Sequence, residues 1–395
     1  MKKNIIIIGA GHAGGMVAIW LRKKDTTSSI TILGEENYFP YQRPPLSKAF
    51  IKKEIEIKSL YLKSHLFYKK NNIDVITDTK AIKIDKSKKI VLCNHGNEYK
   101  YDRLVLCTGS VLNYLVNSSS ESNIFYLRNI DDALKIQTSL DKGKSIAVIG
   151  GGYIGLEVAA VSRNKGLKTT VLEMDQRIMS RSVSKGISNF MHKKHVDMGI
   201  DFILNTSVMD IIDHNDKKRI YLSNGEYIDV DIAIIGIGIK PNIELAMNAG
   251  LECENGIKVN EYGETSHESI FAAGDCTNHI NLIFNRRLRV ESVQNAVDQS
   301  RNVALSILGD KEVYKKVPWF WSEQYNIKLQ IVGIRDSYDE SIVSGDPKNE
   351  KFSIFYLKNN TLIAVEAIND LKSFQKGKKL IPLVEKVDYS MLIEK

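Results

Sequence analysis

Short apolar runs in the first part of the chain alternate with longer segments of helical character. Ile5–Ile8 is a continuous β-branched run, and Ser29–Leu33 is a second strand-like run one helix length later. The same arrangement returns in Ser145–Ile149, Leu156–Lys165 and Lys168–Leu172. Continuous apolar runs are typical of parallel strands covered by helices on both faces. The pattern therefore predicts two βαβ units, each part of a Rossmann-like α/β domain.

Shorter apolar runs separate the two units. Between Tyr61 and Leu106 we expect a β-meander inserted into the first domain, because each run has strand length and lies between turn residues. Its strands are predicted at Ile73–Ile76, Ala81–Ile84, Ile90–Leu92 and Arg103–Thr108. At Thr108-Gly109 the chain returns to the parallel sheet, where a small loop either crosses close to a bound cofactor or is only a turn.

Later runs indicate where the domains end. Ala233–Gly238 closes the second unit, and Ile270–Asp275 is a short strand that leads into a turn before a helix over Ser292–Leu308. The aromatic run Val317–Ser322 and the alternating strand Lys351–Tyr356 indicate a separate α+β domain. We predict a discontinuous first domain over residues 1–112 and 240–316, a second over 113–239, and a C-terminal α+β domain over 317–395.

The loop after the first strand has the composition of a dinucleotide-binding turn. Gly9 and Gly11 permit a tight turn and let a pyrophosphate approach the backbone, and Gly14 lets the next helix pack against the strand. The N-terminus of that helix then faces an anion. Glu35 follows the second strand, where a carboxylate accepts both ribose hydroxyls of a dinucleotide.

The second unit repeats this fingerprint with Gly150, Gly152, Gly155 and Glu173. An acid at this strand end repels a 2′-phosphate and accepts ribose hydroxyls, so we expect NADH to be preferred to NADPH. Arg177 and Arg181 follow closely, either as phosphate ligands or as solvated helix ends. Two dinucleotide sites in one chain favour an electron-transfer flavoenzyme, with FAD in the first site and a nicotinamide nucleotide in the second.

Composition narrows the classes of protein that fit this sequence. The chain has 395 residues, 43% of them hydrophobic, which suffices for two or three domain cores. It contains no apolar run of the roughly 20 residues that span a bilayer, so we expect a cytoplasmic protein without a membrane segment. The net charge of +8 is spread along the chain and suits an acidic protein partner, or only a solvated lysine-rich surface, better than nucleic acid.

No metal site is predicted. Cys93, Cys107, Cys253 and Cys276 are far apart and form no C-x-x-C pair, so we expect buried or incidental thiols. His192 and His195 share a helix face but lack a third ligand nearby, which favours a solvated helix over a metal site.

Taken together, these motifs resemble the FAD-dependent ferredoxin reductases that oxidise NADH in bacterial cytochrome P450 and ring-hydroxylating dioxygenase systems. The most specific part of the resemblance is Tyr41-Gln42-Arg43-Pro44-Pro45-Leu46-Ser47-Lys48. Glutathione-reductase-like enzymes share the two fingerprints and the fold, but carry redox cysteines in this region. Their absence here excludes a dithiol relay at this site.

The resemblance implies roles for individual residues. Arg43 and Pro44 lie along the isoalloxazine, Lys48 lies near flavin N5, and Glu157 is its ion-pair partner, unless that pair is an ordinary interdomain salt bridge. The remaining FAD positions are Gly9, Gly11, Ala13, Gly14, Glu35, Ala81, Thr108, Gly109, Arg128, Asp275, the amide of Val293, and Trp321, which shields the flavin edge. The NADH positions are Gly150, Gly152, Tyr153, Ile154, Gly155, Glu173, Arg181 and Gly238.

The resemblance also implies a reaction: hydride transfer from NADH to FAD, followed by two single-electron transfers to an acidic 2Fe–2S ferredoxin. The enzyme is expected to be a monomer or weak homodimer. A rubredoxin reductase would share every residue named above. An NADH oxidase or peroxidase-like flavoenzyme is a further alternative, but this chain lacks the usual peroxide-reactive cysteine. An alternative of another class is an apoptosis-inducing-factor-like, redox-switched binding protein.

Overall fold

The computed structural model describes residues 2–115 and 122–392 of the chain. In residues 2–115 the elements are β1 (Asn4–Ile8), α1 (His12–Lys24), β2 (Ser29–Leu33), α2 (Ile57–Leu60), α3 (His65–Lys70), β3 (Ile73–Ile76), β4 (Ala81–Asp85), β5 (Ile90–Cys93), β6 (Glu98–Lys100), β7 (Arg103–Leu106) and β8 (Ser110–Leu112). In residues 122–241 they are β9 (Ile124–Tyr126), α4 (Ile130–Leu140), β10 (Ser145–Ile149), α5 (Tyr153–Asn164), β11 (Lys168–Leu172), α6 (Lys185–Asp197), β12 (Asp201–Ile203), β13 (Val208–His214), β14 (Lys217–Leu222), β15 (Tyr227–Val230), β16 (Ile232–Ile235) and β17 (Ile239–Pro241). In residues 242–392 they are α7 (Glu244–Asn248), β18 (Ile257–Val259), β19 (Ile270–Ala272), β20 (Thr277–Asn281), β21 (Arg286–Leu288), α8 (Val293–Leu308), β22 (Trp319–Gln324), β23 (Ile327–Gly333), β24 (Glu340–Asp346), β25 (Lys351–Lys358), β26 (Thr361–Ile368) and α9 (Leu371–Leu380).

The first parallel sheet is built around β1. Its strand order is β19-β7-β1-β2-β3, so the late strand β19 joins strands from the start of the chain. Ile5 and Ile7 point into one apolar cluster with α1 and α8, whereas Ile6 and Ile8 point into a second cluster on the opposite face. Each buried isoleucine contributes about 2 kcal/mol. The predicted strand covered on both faces is confirmed.

The second parallel sheet repeats this design. Its order is β12-β11-β10-β16-β9, with β10 at the centre. Val148 packs with Leu156 and Val158 of α5, whereas Ala147 on the opposite face packs with the antiparallel sheet of β13, β14 and β15. Between the two parallel sheets, β8 and β17 pair antiparallel, so the chain leaves and re-enters the first sheet side by side.

The predicted meander was wrong in part. Ile73–Ile76 is β3, which pairs parallel with β2 at the edge of the first sheet, and Arg103–Leu106 is β7 beside β1. The meander itself consists of β4, β5 and β6, the last of which was not predicted. A short apolar run has the same length in a parallel edge strand and in a meander, and only its partner distinguishes the two.

Two helix starts also differ from the prediction. α5 begins at Tyr153, three residues before the expected Leu156, because Gly152 supplies the extended residue at its N-terminus. α8 begins at Val293, and the hydroxyl of Ser292 caps it by accepting a hydrogen bond from the Asn295 amide. The earlier start of α5 brings its first turn to the glycine loop.

The C-terminal domain is an antiparallel sheet with one helix packed on it, as predicted for an α+β domain. The strand order is β22-β23-β26-β25-β24. Phe374 of α9 packs against Val332 and Val365 of the sheet. The domain boundaries at 112/113, 239/240 and 316/317 stay a prediction, and residues 393–395 of the last domain lie outside the described part. Within the described ranges, no helix combines the length and apolar character of a membrane span.

Candidate functional site

One large cavity joins the two glycine loops. Its volume is about 1950 Å³, roughly twice the upper end of an ordinary ligand pocket. It is lined by these predicted site residues: Gly9, Gly11, Ala13, Glu35, Arg43, Pro44, Lys48, Ala81, Thr108, Gly109, Arg128, Gly150, Gly152, Tyr153, Ile154, Gly155, Glu157, Glu173, Arg181, Gly238, Asp275, Val293 and Trp321. Gly14, the remaining predicted residue, lies beneath the first loop. The cavity has room for two nucleotides that meet between the loops.

The first loop is shaped for a pyrophosphate. Gly9 has a φ of +109°, and a Cβ there would lie 2.2 Å from the Cys107 carbonyl oxygen. A Cβ on Gly14 would lie 1.9 Å from the Gly9 carbonyl oxygen, so this glycine lets α1 approach the loop. A Cβ on Gly11 meets no described atom within 4 Å beyond its own neighbours, which leaves open space where a phosphate fits. These cradles fit the diphosphate of FAD.

His12 is a lining residue that sequence analysis missed. It is the first residue of α1 and lines the cavity. Within the described ranges its buried Nδ1 atom has no hydrogen-bond partner. Burial lowers the pKa of His12 to about 4, so the imidazole is neutral at pH 7. Its position inside the glycine fingerprint was the available signal.

At the adenosine end of the first site, Glu35 is exposed. Its carboxylate lies 2.8 Å from Lys80 Nζ, and the two side chains are 61% and 58% exposed. An exposed pair of this kind is worth at most about 1 kcal/mol. The carboxylate is therefore able to exchange this partner for ribose hydroxyls beside Ala81.

A hydrogen-bonded cluster holds Arg43 at the cavity wall. Arg43 Nη2 donates to Glu36 Oε1 at 2.5 Å, and the Tyr41 hydroxyl donates to Glu36 Oε2 at 2.6 Å. Arg43 Nη1 donates to the Arg128 carbonyl oxygen at 2.7 Å. Burial lowers the pKa of Arg43, but Tyr41 and Glu36 more than offset it and leave that pKa above its usual value. Glu36 was missed because sequence analysis assigned the acidic role to its neighbour Glu35.

Asp275 and Arg128 form a charged group beside this cluster. Burial raises the pKa of the Asp275 carboxyl group, and the Arg128 and Arg43 cations oppose that shift. Burial, followed by repulsion from Arg43, lowers the pKa of Arg128 to about 10. The Arg128, Arg43 and Arg289 cations therefore all act on this one carboxylate, which suits a site that also receives a phosphate or a polar ring edge.

Lys48 and Glu157 form an ion pair in the cavity wall. A 3₁₀ turn over Pro44–Ser47 presents Lys48, whose Nζ lies 2.7 Å from Glu157 Oε2. The Glu157 side chain is only 4% exposed. Two hydroxyls missed by sequence analysis also donate to this carboxylate, from Ser47 and from Ser322 of β22, each at 2.5 Å.

The second loop has the same backbone geometry as the first. Gly150 has a φ of +106°, and a Cβ on Gly155 would lie 2.1 Å from the Gly150 carbonyl oxygen. Glu173 Oε2 accepts a hydrogen bond of 2.7 Å from the Gly151 amide, so its carboxylate lies directly beside the loop. This geometry fits a dinucleotide with a ribose near Glu173.

The two arginines after Glu173 separate in the structure. Arg177 donates to the carbonyl oxygens of Val183 and Ser180, at 3.0 and 2.6 Å. Its guanidinium group therefore stabilises its own loop and is already occupied by protein acceptors. Arg181 lines the cavity near Gly238, where a Cβ would lie 4.0 Å from Arg181 Nη2. Of these two arginines, Arg181 is therefore the one that lines the cavity.

Aromatic rings cover the space between the loops. The Tyr153 ring lies 4.5 Å from the ring of Phe320, which precedes Trp321 on β22. The Trp321 and Trp319 rings lie 5.6 Å apart. Ile154 is 45% exposed inside this part of the cavity. Phe320 was missed because the aromatic run alone does not tell which side chain faces the cavity.

The thiols and histidines make no redox or metal centre among the described residues. Burial raises the pKa of both Cys107 and Cys276, so these thiols are protonated and poor nucleophiles. In the described ranges no group of three or more His, Cys, Asp or Glu residues is placed to hold a metal ion. The expectation of a solvated His195 was wrong: it is fully buried and its Nε2 lies 2.6 Å from Gln324 Oε1.

Comparisons with known proteins cover the whole chain. A family model described as pyridine nucleotide-disulphide oxidoreductase matches residues 3–300, and one described as reductase C-terminal matches residues 319–395. The chain is 36% identical over 385 residues to putidaredoxin reductase CamA of Pseudomonas putida, covering 96% of this chain and 91% of that protein. It is 38% identical over 367 residues to a rubredoxin-NAD(+) reductase of Pseudomonas putida, covering 92% and 95%.

Comparisons with solved structures agree with these sequence comparisons. The covalent putidaredoxin reductase–putidaredoxin complex matches with a TM-score of 0.96 and 35% identity, over 100% of this chain and 96% of that one. The ferredoxin reductase for the CYP199A2 system from Rhodopseudomonas palustris matches with a TM-score of 0.94 and 36% identity, over 97% and 95%. The family resemblance and the fold class expected from the sequence are confirmed.

Proposed function

Because this chain belongs to the pyridine nucleotide-disulphide oxidoreductase family, with a reductase C-terminal domain, we propose that it transfers electrons from NADH through FAD to a 2Fe–2S ferredoxin. The ferredoxin would serve a cytochrome P450 or a ring-hydroxylating dioxygenase. FAD and NAD(P)H are the cofactors that the family implies. When bound, FAD supplies the step from a two-electron donor to a one-electron acceptor.

The observation that carries this proposal is the single cavity shared by both glycine loops. Hydride transfer requires two rings in contact, so the two nucleotide sites must open into the same space. Lys48, Glu157 and Tyr153 all line this shared cavity, and we infer that they lie where the two sites meet. In those positions Lys48 holds a positive charge beside the flavin site, Glu157 holds that charge in place, and Tyr153 covers the nicotinamide site until NADH binds.

The proposed FAD site uses residues from distant parts of the chain. The loop of Gly9 and Gly11 binds the pyrophosphate, Arg43 and Asp275 flank the ring system and ribityl chain, and the amide of Val293 at the start of α8 faces the pyrimidine edge. This set spans both segments of the proposed discontinuous domain, 1–112 and 240–316. FAD binding would therefore join the two segments and stabilise the fold.

A preference for NADH follows from Glu173 in the second site. We expect the double variant Glu173→Ala/Met174→Arg to lower the KM for NADPH about tenfold, because it removes a repulsive carboxylate and adds a cation for the 2′-phosphate. Met174 is 70% exposed and lines the cavity, so an arginine is accommodated there. Steady-state kinetics with both nucleotides check this. An unchanged NADH/NADPH ratio would refute the role of Glu173, and Met174→Leu is the matched control.

The acceptor face is proposed at α9. This helix carries Lys372, Lys376, Lys378 and Lys379 and no acidic residue. Lys378 Nζ lies 4.8 Å from the Trp319 ring, which in turn contacts Trp321 at the cavity. A basic helix beside the cavity complements an acidic ferredoxin and would accelerate the encounter.

Charge reversal on this helix tests the acceptor face. Lys379→Glu should raise the KM for an acidic ferredoxin about fivefold at low ionic strength, and the difference should shrink in 0.5 M salt because of screening. Lys70→Glu on α3, which packs beside β3, is the matched control. Equal effects of both variants, or an effect that salt does not change, would remove α9 from the acceptor face.

Rubredoxin is the second candidate acceptor, since two of the compared relatives are rubredoxin-NAD(+) reductases. Parallel assays with rubredoxin and with 2Fe–2S ferredoxin distinguish the two by kcat/KM. We further propose a cytoplasmic location, which is supported by four unpaired thiols, since these are typical of a reducing compartment. A monomer or weak homodimer stays a prediction.

A further inference from the structure

Glu157 is tied to the C-terminal sheet as well as to Lys48. The Ser322 hydroxyl on β22 donates to Glu157 Oε1 at 2.5 Å, while Lys48 Nζ and the Ser47 hydroxyl donate to Oε2. The Ser322 residue is 1% exposed and Glu157 4%. A buried carboxylate with donors on both oxygens is held in one orientation. Ser322 supplies the donor that comes from the other domain.

Behind Ser322 the hydrogen bonds continue into the protein. Gln324 Nε2 donates to Ser322 Oγ at 3.1 Å, and Gln324 Oε1 lies 2.6 Å from His195 Nε2. The Tyr325 hydroxyl lies 3.4 Å from His195 Nδ1. This series of hydrogen bonds therefore links the cavity wall to α6 and to the partly exposed Tyr325.

These hydrogen bonds have one consistent direction. An ionised carboxylate only accepts, so Ser322 donates to it and accepts from the Gln324 amide. The Gln324 carbonyl oxygen then requires a proton on His195 Nε2, which leaves Nδ1 to accept from Tyr325. Burial lowers the pKa of His195 to about 4, consistent with a neutral ring that carries a single proton. Every donor thus points toward Glu157, and such a chain strengthens its last bond.

We propose that Ser322, backed by Gln324 and His195, is a positioning residue that fixes the Glu157 carboxylate and through it the Lys48 cation. The C-terminal domain would then have two roles. Through Ser322 of β22 it would fix the position of the Lys48 cation at the flavin site, and it would also face the electron acceptor. This inference rests on the proposed function, because it assumes that Lys48 lies beside bound FAD.

The test is a double-variant cycle of Ser322 and Lys48. The measured quantity is the midpoint potential of bound FAD, determined by reductive titration with a reference dye in the absence of NADH. Ser322→Ala should shift the potential in the same direction as Lys48→Met and by less, and should slow FAD reduction by NADH about fivefold with an unchanged KM. In the Lys48→Met background, Ser322→Ala should add no further shift. Ser322→Thr, which keeps the hydroxyl, should restore both values.

Ser353→Ala is the matched control, since Ser353 is a buried serine of the same sheet whose hydroxyl donates to Asp370 at 2.9 Å. Shifts that add in the double variant, a null effect of Ser322→Ala, or an equal effect of Ser353→Ala would overturn the inference. If Lys48→Met itself changes neither the potential nor the rate, the proposed role of Lys48 fails. If Lys48→Met acts and Ser322→Ala does not, only the positioning role of Ser322 fails.

Discussion

Replacing Lys48 with Met should slow the reduction of FAD by NADH at least tenfold. Lys48 lines the cavity that the two glycine loops share, and its Nζ is held 2.7 Å from Glu157 Oε2. In the proposed function it is the cation beside the flavin. A tenfold loss corresponds to about 1.4 kcal/mol of transition-state stabilisation, a modest value for a charge in a partly buried site. Stopped-flow absorbance of the flavin after mixing with NADH measures the rate directly.

Loss of the cation has a second consequence, because it leaves Glu157 buried without a counterion. Breaking a buried ion pair by removing one partner costs about 3–5 kcal/mol of stability. Lys48→Met/Glu157→Gln removes both charges and should recover most of the stability but not the rate. Lys52→Met, on an exposed side chain of the same segment, is the control. Unaltered reduction kinetics in Lys48→Met would take Lys48 out of the mechanism.

Substitutions of Gly11, in the first loop, and of Gly14, in α1 beneath it, should have different effects. Gly11→Ala should leave the apoprotein folded and weaken FAD binding about 100-fold, or about 2.7 kcal/mol, because the added methyl group takes the space that a phosphate needs. A Cβ there meets no described protein atom within 4 Å beyond its own neighbours, so the protein itself is not strained. Isothermal titration of the apoprotein with FAD measures the affinity.

Gly14→Ala should instead destabilise the fold. Its Cβ would lie 1.9 Å from the Gly9 carbonyl oxygen, which forces α1 away from β1. We expect a lower thermal midpoint for the apoprotein, measured by circular dichroism, as well as lost FAD. If Gly11→Ala unfolds the apoprotein, or if Gly14→Ala keeps the wild-type midpoint, the assignment of the two roles is wrong.

The sequence was informative where a pattern is local. The strands β1, β2, β10 and β11 and both glycine loops follow from short contiguous motifs. The structure gives β2, β10 and β11 the predicted bounds and begins β1 one residue earlier than predicted, at Asn4. Tyr41–Lys48 indicated the family before any contact was known. These elements depend on backbone chemistry within a few residues, which a single sequence displays.

Long-range partners were not predictable in the same way. Ser322 meets Glu157 across 165 positions of sequence, and its serine side chain carries no signal of that contact. Ile73–Ile76 has the composition of a meander strand, and only its pairing with Ile30–Leu33 makes it a parallel edge strand. His195 was expected on a solvated face because helical periodicity does not reveal that a second domain covers it. Tertiary packing decides such cases.

The measurement that tests the proposed electron transfer most directly is NADH-driven reduction of cytochrome c by the FAD-loaded protein, with and without added 2Fe–2S ferredoxin. We predict slow reduction without ferredoxin and a rise of at least tenfold with it, saturable in ferredoxin and weakened by salt. Rapid reduction of the flavin by NADH with no ferredoxin-dependent rise, for a panel of acidic 2Fe–2S ferredoxins, would contradict the proposal.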